Sequence, residues 1–214
     1  MIAGSAAGIL VAESTYAELV VASHRGHGGF PGLLAGSVAT QLVTHARCPV
    51  IVVRPQRNGE PAEAPTGAPV VVGVDGSVHS EAAVAFAFEE AANRAVPLTT
   101  VHIWTEPPRP GQDDFKPVEC EPGEARHEAE RTLAEAIAGY RDKYPDVAVT
   151  SDLVCSLYIT ETLLQRTGTA GLMVVGARGR GPLSGLLLGS VSQALIHRAH
   201  CPVAVIHSNP DLHD

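Results

Sequence analysis

The sequence predicts an α/β fold, a doubly wound parallel five-stranded sheet, and three observations predict it. Short apolar runs alternate with stretches of helical apolar spacing along most of the chain. The run Val70–Val74 is apolar throughout, as in a strand covered on both faces, and closes on the turn residues Asp75, Gly76 and Ser77. The run that starts at Leu172 breaks at Gly176, Gly179 and Gly189 before Val191, Leu195 and Ile196 resume a helical period. With 214 residues, 45% of them hydrophobic, the chain can bury a substantial core.

From the N-terminus, residues 5–14 have helical spacing through Ile9, Leu10 and Ala12, and residues 19–22 read as a short buried strand. Residues 50–53 are a further strand. Residues 55–68 carry Pro, Gly, Glu and Ala without an apolar period and read as a linker. After Val70–Val74, Ser77 or Ser80 caps a helix whose Val84, Phe88 and Ala91 share one face, and Ala95-Val96-Pro97 ends it. Residues 98–104 are the next strand. Residues 105–121, rich in Pro, Asp and Glu, read as a loop over the ligand-binding edge. An amphipathic helix follows over 124–140, with Ala129, Leu133, Ile137 and Tyr140 on one stripe, then a strand over 147–154. Ser156 is expected to cap a helix through Leu163 and Leu164, and residues 172–175 and 203–206 supply the last two strands.

The chain also repeats itself. Gly26, Gly36 and the pair Cys48-Pro49 recur as Gly179, Gly189 and Cys201-Pro202, each displaced by 153 residues. The same offset sets the equivalent of Val70 before residue 1, so residues 1–54 are read as the C-terminal half of a first copy, 55–68 as the linker and 69–208 as a complete second copy. In the first copy Ser23 stands where the second has Gly176, and Ala39 where it has Ser192. The first loop is therefore expected to bind ligand poorly or not at all.

A strand, a glycine-rich loop and a helix start make an anion site, because loop N–H groups and the unpaired N–H groups of the helix converge where no Cβ obstructs approach. Phosphate is the expected guest, with Arg178 and Arg180 able to add charge-assisted bonds and Ser190 and Ser192 offering hydroxyls. Gly176-x-x-Gly179, nine residues, then Gly189-Ser190, together with Asp75 closing the first strand and Cys201-Pro202 opening the last, resembles the nucleotide loop pattern of the universal stress protein family. Residues 70–206 look like one complete family domain. The resemblance implies the strand order 3-2-1-4-5 of an adenine nucleotide alpha hydrolase-like fold. It also implies ATP, with or without Mg2+ brought by the nucleotide, as ligand. On the same ground Gly73, Val74 and Asp75 lie toward adenine and ribose, Ile103 flanks the base, and Val175 belongs to the base pocket. The phosphates fall to Gly176, Arg178, Gly179, Gly189, Ser190, Val191 and Ser192. The last strands of such domains pair across domains or protomers, which implies intramolecular pairing or a homo-oligomer.

Composition narrows the partners. A net charge of -8 without a basic patch argues against nucleic acid and anionic membranes, and no apolar run approaches the length of a membrane span. A cytoplasmic location is the expectation, with Cys48, Cys120, Cys155 and Cys201 reduced because none has CxxC spacing. Only two lysines, Lys116 and Lys143, are present, and no Gly-Lys-Ser/Thr sequence of a Walker loop. His197, His200 and Cys201 lack the further ligands a zinc site needs, and no metal is expected. No nucleophile or base constellation can be assembled, which leaves slow ATP hydrolysis at most, and the resemblance implies an ATP-binding regulatory module of the stress response. The alternative is a protein of the same fold that acts by dimerisation or interaction through the edges of its last strands, without nucleotide.

Overall fold

The computed structural model describes residues 5–24, 36–54, 65–105, 123–180 and 188–208. All but the first residue of the expected loop over 105–121, and most of the 55–68 linker, lie outside them. The elements, in order, are α1 (Ala6–Glu13), β1 (Val20–Ser23), α2 (Ser37–His45), β2 (Val50–Val53), β3 (Val70–Val74), α3 (Val78–Arg94) and β4 (Leu98–Trp104). They continue with α4 (Glu124–Lys143), β5 (Val149–Cys155), α5 (Ile159–Arg166), β6 (Leu172–Gly176), α6 (Ser190–Arg198) and β7 (Val203–Ile206).

The seven strands among the described residues form one sheet, in the order β1-β2-β7-β6-β3-β4-β5. Counted within the second copy alone, that is the expected 3-2-1-4-5, and every neighbouring pair in it is parallel. The sheet extends through the one antiparallel pair, β2 with β7, where Ile51 lies opposite Ala204. The last strands of the two copies therefore cover one another within the chain. One core cluster packs α2, α5 and α6 on one face of the sheet, and a second packs α3 and α4 on the other. Phe88, fully buried, stacks on Tyr140 and Tyr144 and so fastens α4 to α3.

Local chemistry explains the boundaries. Ser5 and Ser77 accept the N–H groups of Gly8 and Ser80 and cap α1 and α3. Ala95, in the left-handed region at φ 51°, closes α3 ahead of Pro97. Ser156 does not cap α5 as expected. Its Oγ accepts the N–H of Tyr158 at 3.0 Å in a turn of its own, and the helix starts afterwards at Ile159.

The repeat is reproduced bond by bond. Ser14 Oγ donates to the carbonyl of Val11 and accepts the N–H of Arg47, and Thr167 Oγ1 does the same with Leu164 and His200. The N–H of Gly36 bonds the carbonyl of His24 at 2.8 Å, as that of Gly189 bonds Ala177 at 2.8 Å. What differs is the cover. Leu10, Leu19 and Val21 are exposed, whereas their counterparts Leu163, Leu172 and Val174 are buried beneath the second copy's own elements.

One cysteine expectation fails. Cys155, at the end of the outer strand β5, is disulfide-bonded, while Cys48 and Cys201 are free and buried. Spacing in the sequence carries no signal for a bond between distant cysteines, because the fold decides which of them meet.

The joint between the copies has its own clasp. Arg54, just beyond β2, donates from Nη1 to the carbonyls of His197 and Ala199 at the C-terminal end of α6, where the helix leaves acceptors unpaired. Replacing Arg54 with methionine keeps most of the packing and removes these bonds. A loss of about 1–2 kcal/mol is expected, read as a lower urea midpoint at unchanged slope.

Candidate functional site

The chain order reverses beside β3: β4 lies on one side of it and β6 on the other, and open α/β sheets place ligands at such a point beyond the strand ends. The residue there is Asp75. Its Oδ1 accepts the N–H and the hydroxyl of Ser77, at 2.9 and 2.6 Å, and its Oδ2 accepts the N–H of Arg180 at 2.9 Å. Burial alone would raise the pKa of this carboxyl. The hydrogen bonds from Ser77 and Arg180, with help from Ser80, outweigh it and hold the group below the usual aspartate value. Asp75 is thus an anchored anion that ties the first strand to the glycine loop. A carboxylate has about four lone-pair positions, so one on Oδ2 stays open to a ligand hydroxyl or amine.

The glycines have reasons internal to the protein. A Cβ on Gly176 would come within 2.9 Å of the backbone carbon and oxygen of His79 in the first turn of α3. One on Gly179 would stand 2.5 Å from Oδ2 of Asp75. Both positions must be bare so that β6 and its loop can close against α3 and Asp75. The guanidinium of Arg180 reaches the carbonyl of Gly76 at 3.2 Å, a second clip between loop and strand end.

The loop N–H groups divide into two sets. Ala177 donates to the carbonyl of Ile206, Gly189 to that of Ala177, and Arg180 to Asp75. The N–H groups of Arg178 and Gly179, and those of Ser190, Val191 and Ser192 in the first turn of α6, have no acceptor among the described residues. That set forms the cradle a phosphate needs: amides without acceptors at a helix start, beside an exposed arginine. The Ser192 hydroxyl is committed elsewhere. It is buried and donates to the carbonyl of Gly176 at 2.7 Å, so only the amide of Ser192 faces the cradle.

On the α5 and α6 side, Leu163 and Val175 stand 3.5 Å from where a Cβ on Gly73 would lie, at van der Waals contact, with half-buried Ile103 and Val191 against the same cluster. These residues form an apolar wall on that face of the sheet. Val74 is turned to the opposite face and packs with α3, and its carbonyl accepts Nδ1 of His102 at 2.7 Å.

Sequence reasoning missed His79, His207 and Ser208. Ser208 Oγ and His79 Nδ1 are 2.6 Å apart, and burial, followed by the charges of His79, Arg178, Arg47 and His45, lowers the pKa of His207 to about 4. A signal existed: His79 is two residues past the cap of the helix that follows Asp75, and His207 directly follows the last strand. Among the described residues no three His, Cys, Asp or Glu side chains are placed to share a metal ion, and no helix is long and apolar enough to cross a membrane.

Comparison with known proteins accords with this geometry. A model described as the universal stress protein family matches residues 3–54 and 68–207. Universal stress protein Rv2005c of Mycobacterium tuberculosis is 44% identical over 199 residues, 92% of this chain and 64% of that protein. Universal stress protein Rv2623 of the same organism is 40% identical over 196 residues, covering 92% and 63%. The chain thus spans a little under two thirds of the length of these relatives. The crystal structure of a universal stress protein from Archaeoglobus fulgidus DSM 4304 superposes with a TM-score of 0.63 at 19% identity, over 96% of this chain and 66% of that one, a likeness of fold. With the family model matching both copies around the Asp75 crevice, the chain belongs to the universal stress protein family.

Proposed function

We propose that the second copy binds an adenine nucleotide, ATP with its Mg2+, in the crevice between Asp75 and the start of α6, and works as a nucleotide-dependent regulatory module in the stress response. The observation that carries this reading is the set of amides without acceptors among the described residues, Arg178, Gly179 and Ser190 to Ser192, in a loop tied to a carboxylate that keeps one acceptor position. In this reading the amides hold the phosphates, joined by the Arg178 guanidinium. Gly73, Ile103 and Val175 take the base against their apolar wall, and Asp75 takes a ribose hydroxyl. The carbonyl of Val74 is already engaged by His102, so Val74 contributes least.

Three acceptor positions of Asp75 are filled by the protein's own donors and the fourth goes to the ribose in this reading, which leaves Mg2+ to phosphate oxygens and water. Regulation follows if nucleotide favours one of two conformations of the loop and so biases what the surface presents. The interaction-only alternative drew on uncovered last strands, and β2 and β7 cover each other. Calorimetric titration of the full chain with ATP is expected to give a saturable heat with Mg2+ present. No heat beyond dilution at millimolar nucleotide overturns the reading.

A further inference from the structure

The two edges of the sheet differ in kind. β1, at one end, is four residues long, and so short an edge strand offers little to pair with. β5, at the other, runs over seven residues, contains neither proline nor lysine, and has no strand beyond it among the described residues. The N–H of Leu98 bonds the carbonyl of Ala148, and the N–H of Ser156 bonds the carbonyl of Trp104. Main-chain groups of the even-numbered residues therefore face β4, and the N–H and C=O groups of Val149, Ser151 and Leu153 point outward from the sheet.

Beside this edge a groove of about 520 Å3 lies between β5 and α4. Leu133, Ile137 and Leu153 give it an apolar floor, and its charged residues are Arg126, Glu130 and Arg141. β4 and β5 are parallel, so the connecting helix α4 runs back against them. Arg126 and Glu130 thus lie toward the end of β5, and Arg141 toward its start. Glu130 pairs with Arg126 at 2.9 Å, with both side chains half exposed. Arg141 is exposed, and its side chain has no ion pair or hydrogen bond among the described residues. The groove carries its carboxylate at one end and its uncommitted cation at the other, so two such grooves laid antiparallel complement each other.

We propose that two molecules of this chain pair antiparallel through β5, about a two-fold axis at Ser151, and join their sheets into one. The axis sets Ser151 against its equivalent, Val149 against Leu153 and Thr150 against Asp152, and it brings Arg141 of each molecule to Glu130 of the other. Val149 packs on the α4 face and Leu153 lines the groove there, so their contact carries the apolar floor across the axis. Other centres fit worse. One residue later, Asp152 opposes its equivalent, and one residue earlier, Leu153 falls opposite Val147, outside the strand. β2 and β7 already cover each other within the chain, so this surface is separate from that joint.

Sedimentation of the full chain is expected to show a monomer–dimer equilibrium. Ser151→Lys sets two lysines face to face at an exposed position and should weaken dimerisation about tenfold or more. Arg141→Glu should weaken it as well, and Arg141→Glu combined with Glu130→Arg should restore it, which a loss of folding could not do. Opposed residues of a hydrogen-bonded antiparallel pair stand about 5.5 Å apart between Cα atoms, within reach of a disulfide. Ser151→Cys should therefore form a covalent dimer on mild oxidation, and Thr150→Cys should not. A monomer at every concentration overturns the inference and leaves this edge to a strand of another protein. A dimer that persists in Ser151→Lys, or that crosslinks equally through Thr150→Cys, overturns it in favour of another surface. Where Ser151→Lys does not fold, the two cysteine variants decide.

Discussion

Phe88→Ala is expected to destabilise the chain by about 3–5 kcal/mol, a drop in melting temperature of roughly 6–20 °C for a chain of this size. The ring is fully buried and stacks on Tyr140 at 5.4 Å and Tyr144 at 5.9 Å between centroids, so its removal opens a cavity and strips two aromatic contacts at once. The loss falls on one element. α4 carries Glu, Arg, Asp and Lys over most of its surface and buries only Ala129, Leu133 and Ile137 besides the contacts its tyrosines make. Hydrogen exchange is therefore expected to rise first in α4 and the adjoining β5, ahead of β6 and β7. Phe88→Leu refills most of the volume and should recover more than half of the loss. If exchange rises evenly over the sheet instead, the aromatic stack is not what holds α4.

Most of the fold was legible because its signals are local. The apolar runs at Val70–Val74 and Leu98–Trp104 coincide with strands, Ser77, one of the two serines expected to cap α3, is its cap, and the 153-residue repeat returns as matching hydrogen bonds. Strand order within the second copy followed from the resemblance. The rest was decided by contacts between distant segments. Nothing near Ser156 in sequence says that its hydroxyl closes a turn on Tyr158 instead of a helix. Nothing near Gly176 says that its missing side chain makes room for His79, or that the Ser192 hydroxyl turns inward to the Gly176 carbonyl. At the candidate site the pattern marked the loop between β6 and α6, and the structure redistributes the expected roles within it. Gly176 and Gly179 serve closure of the protein on itself, and the amides left over belong to Arg178, Gly179 and the first turn of α6.

Asp75→Asn separates the structural work of this residue from its binding role. The asparagine can still accept from Ser77 through its carbonyl oxygen, but the amide nitrogen that replaces Oδ2 cannot accept the N–H of Arg180, which leaves two donors face to face. A stability loss of about 1.5–3 kcal/mol at neutral pH is expected, the range for a hydrogen bond to a charged group. Its pH dependence carries the sign. The folded-state pKa of Asp75 is depressed, so its contribution is complete above the unfolded value of about 3.9 and declines as pH falls through the lower folded value. Wild type and variant should therefore differ most near neutrality and converge below about pH 4, in urea titrations run across that window. A gap that persists at acid pH would assign the loss to packing and not to the carboxylate. ATP affinity should fall about tenfold or more in the same variant, because the Arg180 clip that orders the loop amides is gone and the free acceptor position goes with it. Loss of stability without loss of affinity would leave Asp75 a turn residue, and the cradle of amides would then have to hold nucleotide without it.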